Sequence, residues 1–262
     1  MEKVAVNLGD RSYSVLCGYG LLDSLSQRVS KLGLGLKCAV ITDENVAEHY
    51  LQTVLDQLES AGFDASSHIV PAGEASKSIS NVESLCREMT QAGHGRKSFV
   101  IALGGGVVGD LAGFVASVFY RGVPFVQVPT TIVAQVDSSV GGKTGVNIAE
   151  GKNLVGVFHQ PRLVLIDPAM LSTLPGREYR EGYAEVIKHA AIRDAGMVDI
   201  LEQLDPSDNQ PPAELIARNV AIKARVVEED EQETSGTRAL LNFGHTIGHG
   251  IEASVPYGQF LH

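Results

Sequence analysis

Apolar residues along the chain fall into short runs with two alternating periods. Val4, Val6 and Leu8 alternate with other residues, as do Tyr13 and Val15, on either side of Gly9-Asp10. Period-two alternation broken by a Gly-Asp turn predicts a β-hairpin. Leu21, Leu22, Leu25, Val29 and Leu32 then recur at helical spacing, and Cys38–Thr42 (CAVIT) reads as a short buried strand. Val46, Tyr50, Val54 and Leu58 predict a second helix. A strand at His68–Val70 and a helix through Val82, Leu85 and Met89 follow. Ser98–Leu103 (SFVIAL), Phe125–Val128 and Leu163–Asp167 (LVLID) are the remaining apolar strands. Helices alternating with short, continuously apolar strands build parallel β/α units, a sheet with helices on both faces.

Beyond Gly176 the strand signal ends. Arg177–Arg193, Ala213–Glu229 and Arg238–Ala253 each carry helical periodicity, separated by polar linkers such as Asp205–Pro212. The pattern divides the chain into an α/β domain over 1–175, with a Rossmann-like, mainly parallel sheet, and an all-α domain over 176–262.

Composition narrows the class. The 262 residues are 44% hydrophobic and 20% charged, as in an ordinary globular protein. A net charge of −10 disfavours non-specific binding to nucleic acid or anionic membrane. It leaves a small anionic substrate open, because a local cluster of cations decides that. Cys17, Cys38 and Cys86 are far apart and odd in number, so they read as reduced thiols. The N-terminal stretch lacks the apolar core of a signal peptide, and Phe99–Tyr120 is interrupted by Asp110 and five glycines. A soluble cytoplasmic protein is expected, with neither nucleic acid nor membrane as partner.

Glycine, 28 residues in all, is concentrated around 93–156. Gly104-Gly105-Gly106-Val107-Val108-Gly109-Asp110 follows the clearest strand and opens a helical stretch, where backbone amides point at bound anions. The run satisfies G-x-G-x-x-G, but no acidic residue stands about 20 positions on to hold a ribose. A nucleotide site outside the standard Rossmann pattern is expected. A turn that merely lets strand and helix pack closely is the alternative. Pro129-Thr130-Thr131 lies at a strand end, and a loop follows it with Asp137, Lys143, Lys152 and Asn153. Gly-Gly-Lys-Thr in that loop is not a P-loop, since Val136 stands where the first glycine belongs. Two lysines in such a stretch read as anion ligands.

In the helical half, Glu185, Lys188 and His189 share one helical face. His245 and His249 sit one turn apart, and His262 follows at the end. Glu and His together suit a divalent metal of the zinc type. Spacing alone nominates His245 and His249 as the imidazole pair.

Taken as a set, Ala102–Asp110 (ALGGGVVGD), Gln127–Thr131 (QVPTT), Asp137–Gly145 (DSSVGGKTG), Gly151–Val155 (GKNLV), Ala184–Lys188 (AEVIK) and Leu241–His249 (LNFGHTIGH) resemble the 3-dehydroquinate synthases, in order and along the whole chain. That resemblance implies an NAD-binding α/β domain followed by a helical metal domain, incomplete here because the family pattern continues past Leu261-His262. A chain ending there is expected to hold its metal loosely. The implied reaction turns 3-deoxy-D-arabino-heptulosonate 7-phosphate into 3-dehydroquinate and phosphate by NAD-mediated oxidation, elimination, reduction and intramolecular aldol closure. Other sugar phosphate cyclases, an NAD- and metal-dependent alcohol dehydrogenase and a noncatalytic NAD-binding fragment are the alternatives.

Carried over residue by residue, the resemblance makes Glu185, His245 and His262 the ligands of zinc or cobalt, with His249 acting beside the metal or on substrate. NAD is implied at Asp43, Asn45, Glu74, Lys77, Gly105, Gly106, Val107, Val108, Gly109, Asp110, Thr130, Thr131 and Thr173. Lys143, Asn153, Lys188 and Asn242 are implied at the substrate phosphate, with Arg121 reaching across from the partner of a homodimer. Lys152 falls between the two ligands. Lys223 and Arg238 match carboxylate-binding positions, and Asp137 a hydrogen-bonding site residue.

Overall fold

The computed structural model describes residues 1–205 and 210–254, with His249, Glu252 and Ala253 as backbone only. The expected hairpin forms from β1 (Glu2–Val6) and β2 (Tyr13–Cys17), with Val6 opposite Tyr13. Then come α1 (Leu25–Ser30) and β3 (Lys37–Asp43). A short α2 (Glu44–Val46) runs through a π-turn at Ala47–Leu51 into α3 (Gln52–Ser60). β4 (Asp64–Val70), α4 (Ile79–Gln91), β5 (Ser98–Gly104), α5 (Gly106–Val118) and β6 (Phe125–Pro129) continue the β/α rhythm. After a separate hairpin, β7 (Lys143–Ile148) and β8 (Gly151–Phe158), the sheet is completed by β9 (Leu163–Ile166). Its order is β1-β2-β9-β6-β5-β3-β4, and every pairing except β1–β2 is parallel.

Alternation along β5 shows why its sequence is apolar throughout. Phe99, Ile101 and Leu103 join the core under α1 and α3, while Val100 and Ala102 face α4 and α5. A parallel strand covered on both faces has no polar side to show. The helical half holds α6 (Gly176–Arg193), α7 (Ala195–Leu201), α8 (Ala213–Glu229) and α9 (His245–Ala253). It has no core to itself, because Val6 and Val15 of the first hairpin share one cluster with Val186, Val220 and Val227. No helix among the described residues is long and apolar enough to cross a membrane.

Two expectations need correcting. Residues 137–153 were expected to be a loop, yet they form the end of a π-turn (Ala134–Ser138) and most of the β7–β8 hairpin. The strand signal is masked by Gly145 and Gly156, paired across the hairpin so closely that a Cβ on Gly156 would lie 2.3 Å from the Thr144 carbonyl oxygen. The helix expected over Arg238–Ala253 is broken. A 3₁₀ segment (Thr237–Asn242) ends at Phe243, and Gly244 at φ +85° turns the chain before α9 begins.

Gly182 on α6 meets the turn after β6. A Cβ there would sit 2.4 Å from Ile132 Cβ and 3.2 Å from the Val133 amide nitrogen. Gly182→Ala is therefore expected to destabilise the fold by about 1–3 kcal/mol. Melting temperature measured by calorimetry checks this, and a variant that melts with the wild type would show that α6 does not seat there.

Candidate active site

The carboxyl ends of β3, β5 and β6 lie side by side, where open parallel sheets leave a crevice for ligands. α5 starts there. Its N-cap is Gly105, with no side chain closing the helix, so the first-turn amides have no side-chain cap. A Cβ on Gly105 would stand 3.0 Å from Thr131 Cγ2, and one on Gly106 would stand 3.1 Å from Ser138 Oγ. The glycine run thus packs closely, and side chains at Gly105 and Gly106 would crowd Thr131 and Ser138. Around the same crevice, Thr130 Oγ1 is buried without a hydrogen-bond partner, and Thr131 Oγ1 accepts from the Ala134 amide at 3.2 Å. Asp43 accepts from the Val46 amide, Asn45 is exposed on α2, and Thr173 Oγ1 meets Tyr50 Oη at 2.9 Å.

Beside this crevice a cleft of about 460 Å³ opens between the β7–β8 hairpin, the π-turn and α8. Asp110, Asp137, Lys143, Asn153, Lys223 and Glu233 line it. Lys223 Nζ stands 2.6 Å from Asp137 Oδ1 and donates to the Asp137 carbonyl oxygen at 2.7 Å. Burial alone would raise the Asp137 carboxyl, but Lys223, then Lys188 and His189, hold it well below the usual carboxylate range. Burial lowers the Lys223 ammonium, and Asp137 counters that.

Behind this pair, α6 presents Glu185, Lys188 and His189, all buried, on the shared face that their spacing predicts. Lys188 Nζ is ion-paired with Glu185 Oε2. His189 Nε2 lies 3.7 Å from Asp137 Oδ1, and burial holds the imidazole down to about 4, so it is neutral at pH 7. Candidate ligand atoms of Asp137, Glu185 and His189 lie within 4.8 Å of one another. Carboxylate oxygens with a neutral imidazole are donors that suit zinc or cobalt. Glu185 is common to this set and to the one implied by resemblance. His245, half-buried, opens α9. The side chain of His249 and all of His262 lie outside the described residues.

The other expected residues fall in distinct places. Lys143 pairs with Glu233 at 2.5 Å across the cleft mouth. Arg238 is 2% exposed: its guanidinium donates to the carbonyls of Glu231 (2.7 Å) and Gly141 (3.3 Å) and lies over the Phe158 ring. It braces the cleft wall from behind. Lys152 and Asn242 are exposed, and Arg121 sits at φ +68° on the turn after α5. Glu74 and Lys77 lie beneath Asp110, with Lys77 Nζ 2.7 Å from Asp110 Oδ2. Glu233 escaped the sequence reading because it belongs to the acidic run Glu228–Glu233, which looks like a solvated surface. His189 was visible on the Glu185 face, but its proximity to Asp137 depends on how α6 seats.

Residues 67–181 match the family model described as 3-dehydroquinate synthase N-terminal, and residues 182–262 the one described as 3-dehydroquinate synthase C-terminal. A curated 3-dehydroquinate synthase of Pelobacter propionicus is 48% identical over 266 positions, spanning all of this chain and 74% of that protein. Among solved structures, 2-epi-5-epi-valiolone synthase from Streptomyces hygroscopicus, with NAD+ and Zn2+ bound, is similar at a TM-score of 0.85 and 30% identity. That match covers 97% of this chain and 71% of the other. A 2-deoxy-scyllo-inosose synthase complexed with carbaglucose-6-phosphate, NAD+ and Co2+ gives a TM-score of 0.84 at 27% identity, with the same coverage.

The Asp137–Lys223 pair yields a stability prediction. Lys223→Met leaves the Asp137 carboxylate with only the weaker support of Lys188, and is expected to cost about 3 kcal/mol. Adding Asp137→Leu to that variant is expected to recover part of the loss. Urea unfolding of the two variants checks both, and a double variant less stable than the single one would refute the account.

Proposed function

Since the chain belongs to the 3-dehydroquinate synthase family, we propose that this cleft carries out the family's reaction, converting 3-deoxy-D-arabino-heptulosonate 7-phosphate into 3-dehydroquinate and phosphate. The observation that carries the reading is the meeting of two features in one place. A donor set of buried Glu185 and His189 with half-buried Asp137 adjoins a cleft that also holds Lys143, Asn153 and Lys223. NAD and a divalent metal are the cofactors, and when bound they supply a reversible hydride acceptor and Lewis acidity.

Glu185 is the ligand around which the metal site is built, with His245 and His262 as the family's further ligands. His189 and Asp137 are the nearest described donors behind it. The glycine cradle at Gly105–Gly106, with Thr130 and Thr131, receives NAD. Lys143, Asn153 and Lys188 face the substrate phosphate. The phosphate's negative charge grows as it departs, so charge-assisted bonds from ammonium groups strengthen along the path to the transition state. Lys223, held on Asp137, meets the substrate carboxylate, while Arg238 keeps the Gly141–Gly142 wall in place behind it. His249 acts on the substrate beside the metal. We place the enzyme in the cytoplasm as a homodimer, with Arg121 completing the partner's phosphate site. An alcohol dehydrogenase would leave the lysines of the cleft without an anion to bind.

Lys188→Ala is expected to lower turnover by at least about two orders of magnitude with little change in NAD affinity. Phosphate release assayed with the heptulosonate phosphate measures it. Normal turnover would remove Lys188 from the phosphate site. NAD is expected to be needed only in catalytic amounts, with no net NADH, because the hydride returns within one turnover. A stoichiometric rise in absorbance at the NADH band would favour a dehydrogenase instead.

A further inference from the structure

Lys77 is expected by resemblance to touch NAD, yet its ammonium is engaged elsewhere. The side chain is 5% exposed, and Nζ donates to Asp110 Oδ2 at 2.7 Å and to Asn153 Oδ1 at 2.5 Å, with Glu74 Oε1 at 3.6 Å. An ammonium has three hydrogens, and three acceptors surround this one. The contacts form a ring. Asn147 Nδ2 donates to Glu74 Oε1 at 2.8 Å, the Asn153 amide donates to Asn147 Oδ1 at 2.8 Å, and the Asn147 amide donates to the Lys77 carbonyl at 2.8 Å.

Two consequences follow for Asn153, which lines the cleft near the start of β8. Its backbone is at φ +57°, a left-handed conformation that a side chain adopts only when its surroundings impose it. Its amide polarity is also fixed by chemistry: Lys77 has hydrogens to give and no lone pair, so only the Asn153 oxygen can face it. The NH2 group of this cleft-lining residue is thereby left as a donor turned away from Lys77.

We propose that Lys77 is a positioning residue for phosphate recognition, holding Asn153 so that its NH2 group is presented to the substrate's phosphate. The proposal rests on the reading of Asn153 as a phosphate ligand. It makes Lys77 the tie between the cofactor crevice, through Asp110 and Glu74, and the β7–β8 hairpin.

The test compares Lys77→Met, Asn153→Ala and the double variant, using inorganic phosphate as competitive inhibitor and calorimetry for NAD. Each single variant is expected to weaken phosphate inhibition about tenfold, the loss of one charge-assisted contact. The double variant should be no worse than either single, since both remove one arrangement. Amide exchange over 151–158 should quicken in Lys77→Met without any ligand present. NAD affinity that falls while phosphate inhibition and hairpin exchange stay as in wild type would overturn the proposal and make Lys77 a cofactor ligand. Additive losses in the double variant would overturn it too. If Asn153→Ala leaves phosphate inhibition unchanged, Asn153 is not a phosphate ligand and the proposal falls with that reading. In that case unchanged turnover in Lys77→Met would show the tie to be structural only. Should Lys77→Met lose its cooperative melt, Lys77→Gln takes its place: it fills the site with a neutral side chain that binds Asn153 without the ammonium. Weakened phosphate inhibition with unchanged NAD affinity supports the proposal, and unchanged inhibition overturns it.

Discussion

A carboxylate withdrawn from water must have cations beside it, and Asp137 finds them only by drawing the two halves of the chain together. Its partners Lys223 and Lys188 lie on α8 and α6, whereas Asp137 sits on a turn that follows a strand of the main sheet. The opposite charges would each be costly alone in this position. Seating the helices against the sheet is therefore also what assembles the cleft. The same requirement explains why Gly182 has to be glycine, since α6 brings Lys188 and Glu185 close enough only by lying directly on Ile132.

The sheet half was legible because its signals are local. CAVIT, SFVIAL and LVLID are strands whose apolar runs mark burial on both faces, and the helices between them keep their period. The β7–β8 hairpin was not legible, because its strand character comes from packing: Val146 is covered by the α5 layer, while Gly145 and Gly156 give up side chains so that two backbones can approach. The break before α9 rests on a single glycine's positive φ inside an otherwise helical period.

The site shows the same division. Motifs named Lys143, Asn153, Lys188 and Lys223, and the structure brings Lys143, Asn153 and Lys223 to one cleft with Lys188 behind Asp137. Motifs cannot say which cations face outward. Arg238 looks as available as Lys223 in the sequence, but its guanidinium is turned to carbonyls of the wall. Glu233 pairs with Lys143 from a loop whose composition suggests only solvent.

The sharing of one hydrophobic cluster between the first hairpin and α8 has a consequence for biosynthesis. Asn7 donates to the Glu228 carboxylate across 221 positions of sequence, and Val6 and Val15 wait for Val220 and Val227. On a ribosome the hairpin emerges first and its covering helix only after every strand of the sheet has been made. During that interval an apolar β-surface stands unshielded, the kind of intermediate that attracts other chains. Contacts this distant also slow folding, since a long loop must close before any of them is rewarded. Expression at lower temperature, or with a holdase chaperone in attendance, should therefore raise the soluble yield more than any change to the cleft.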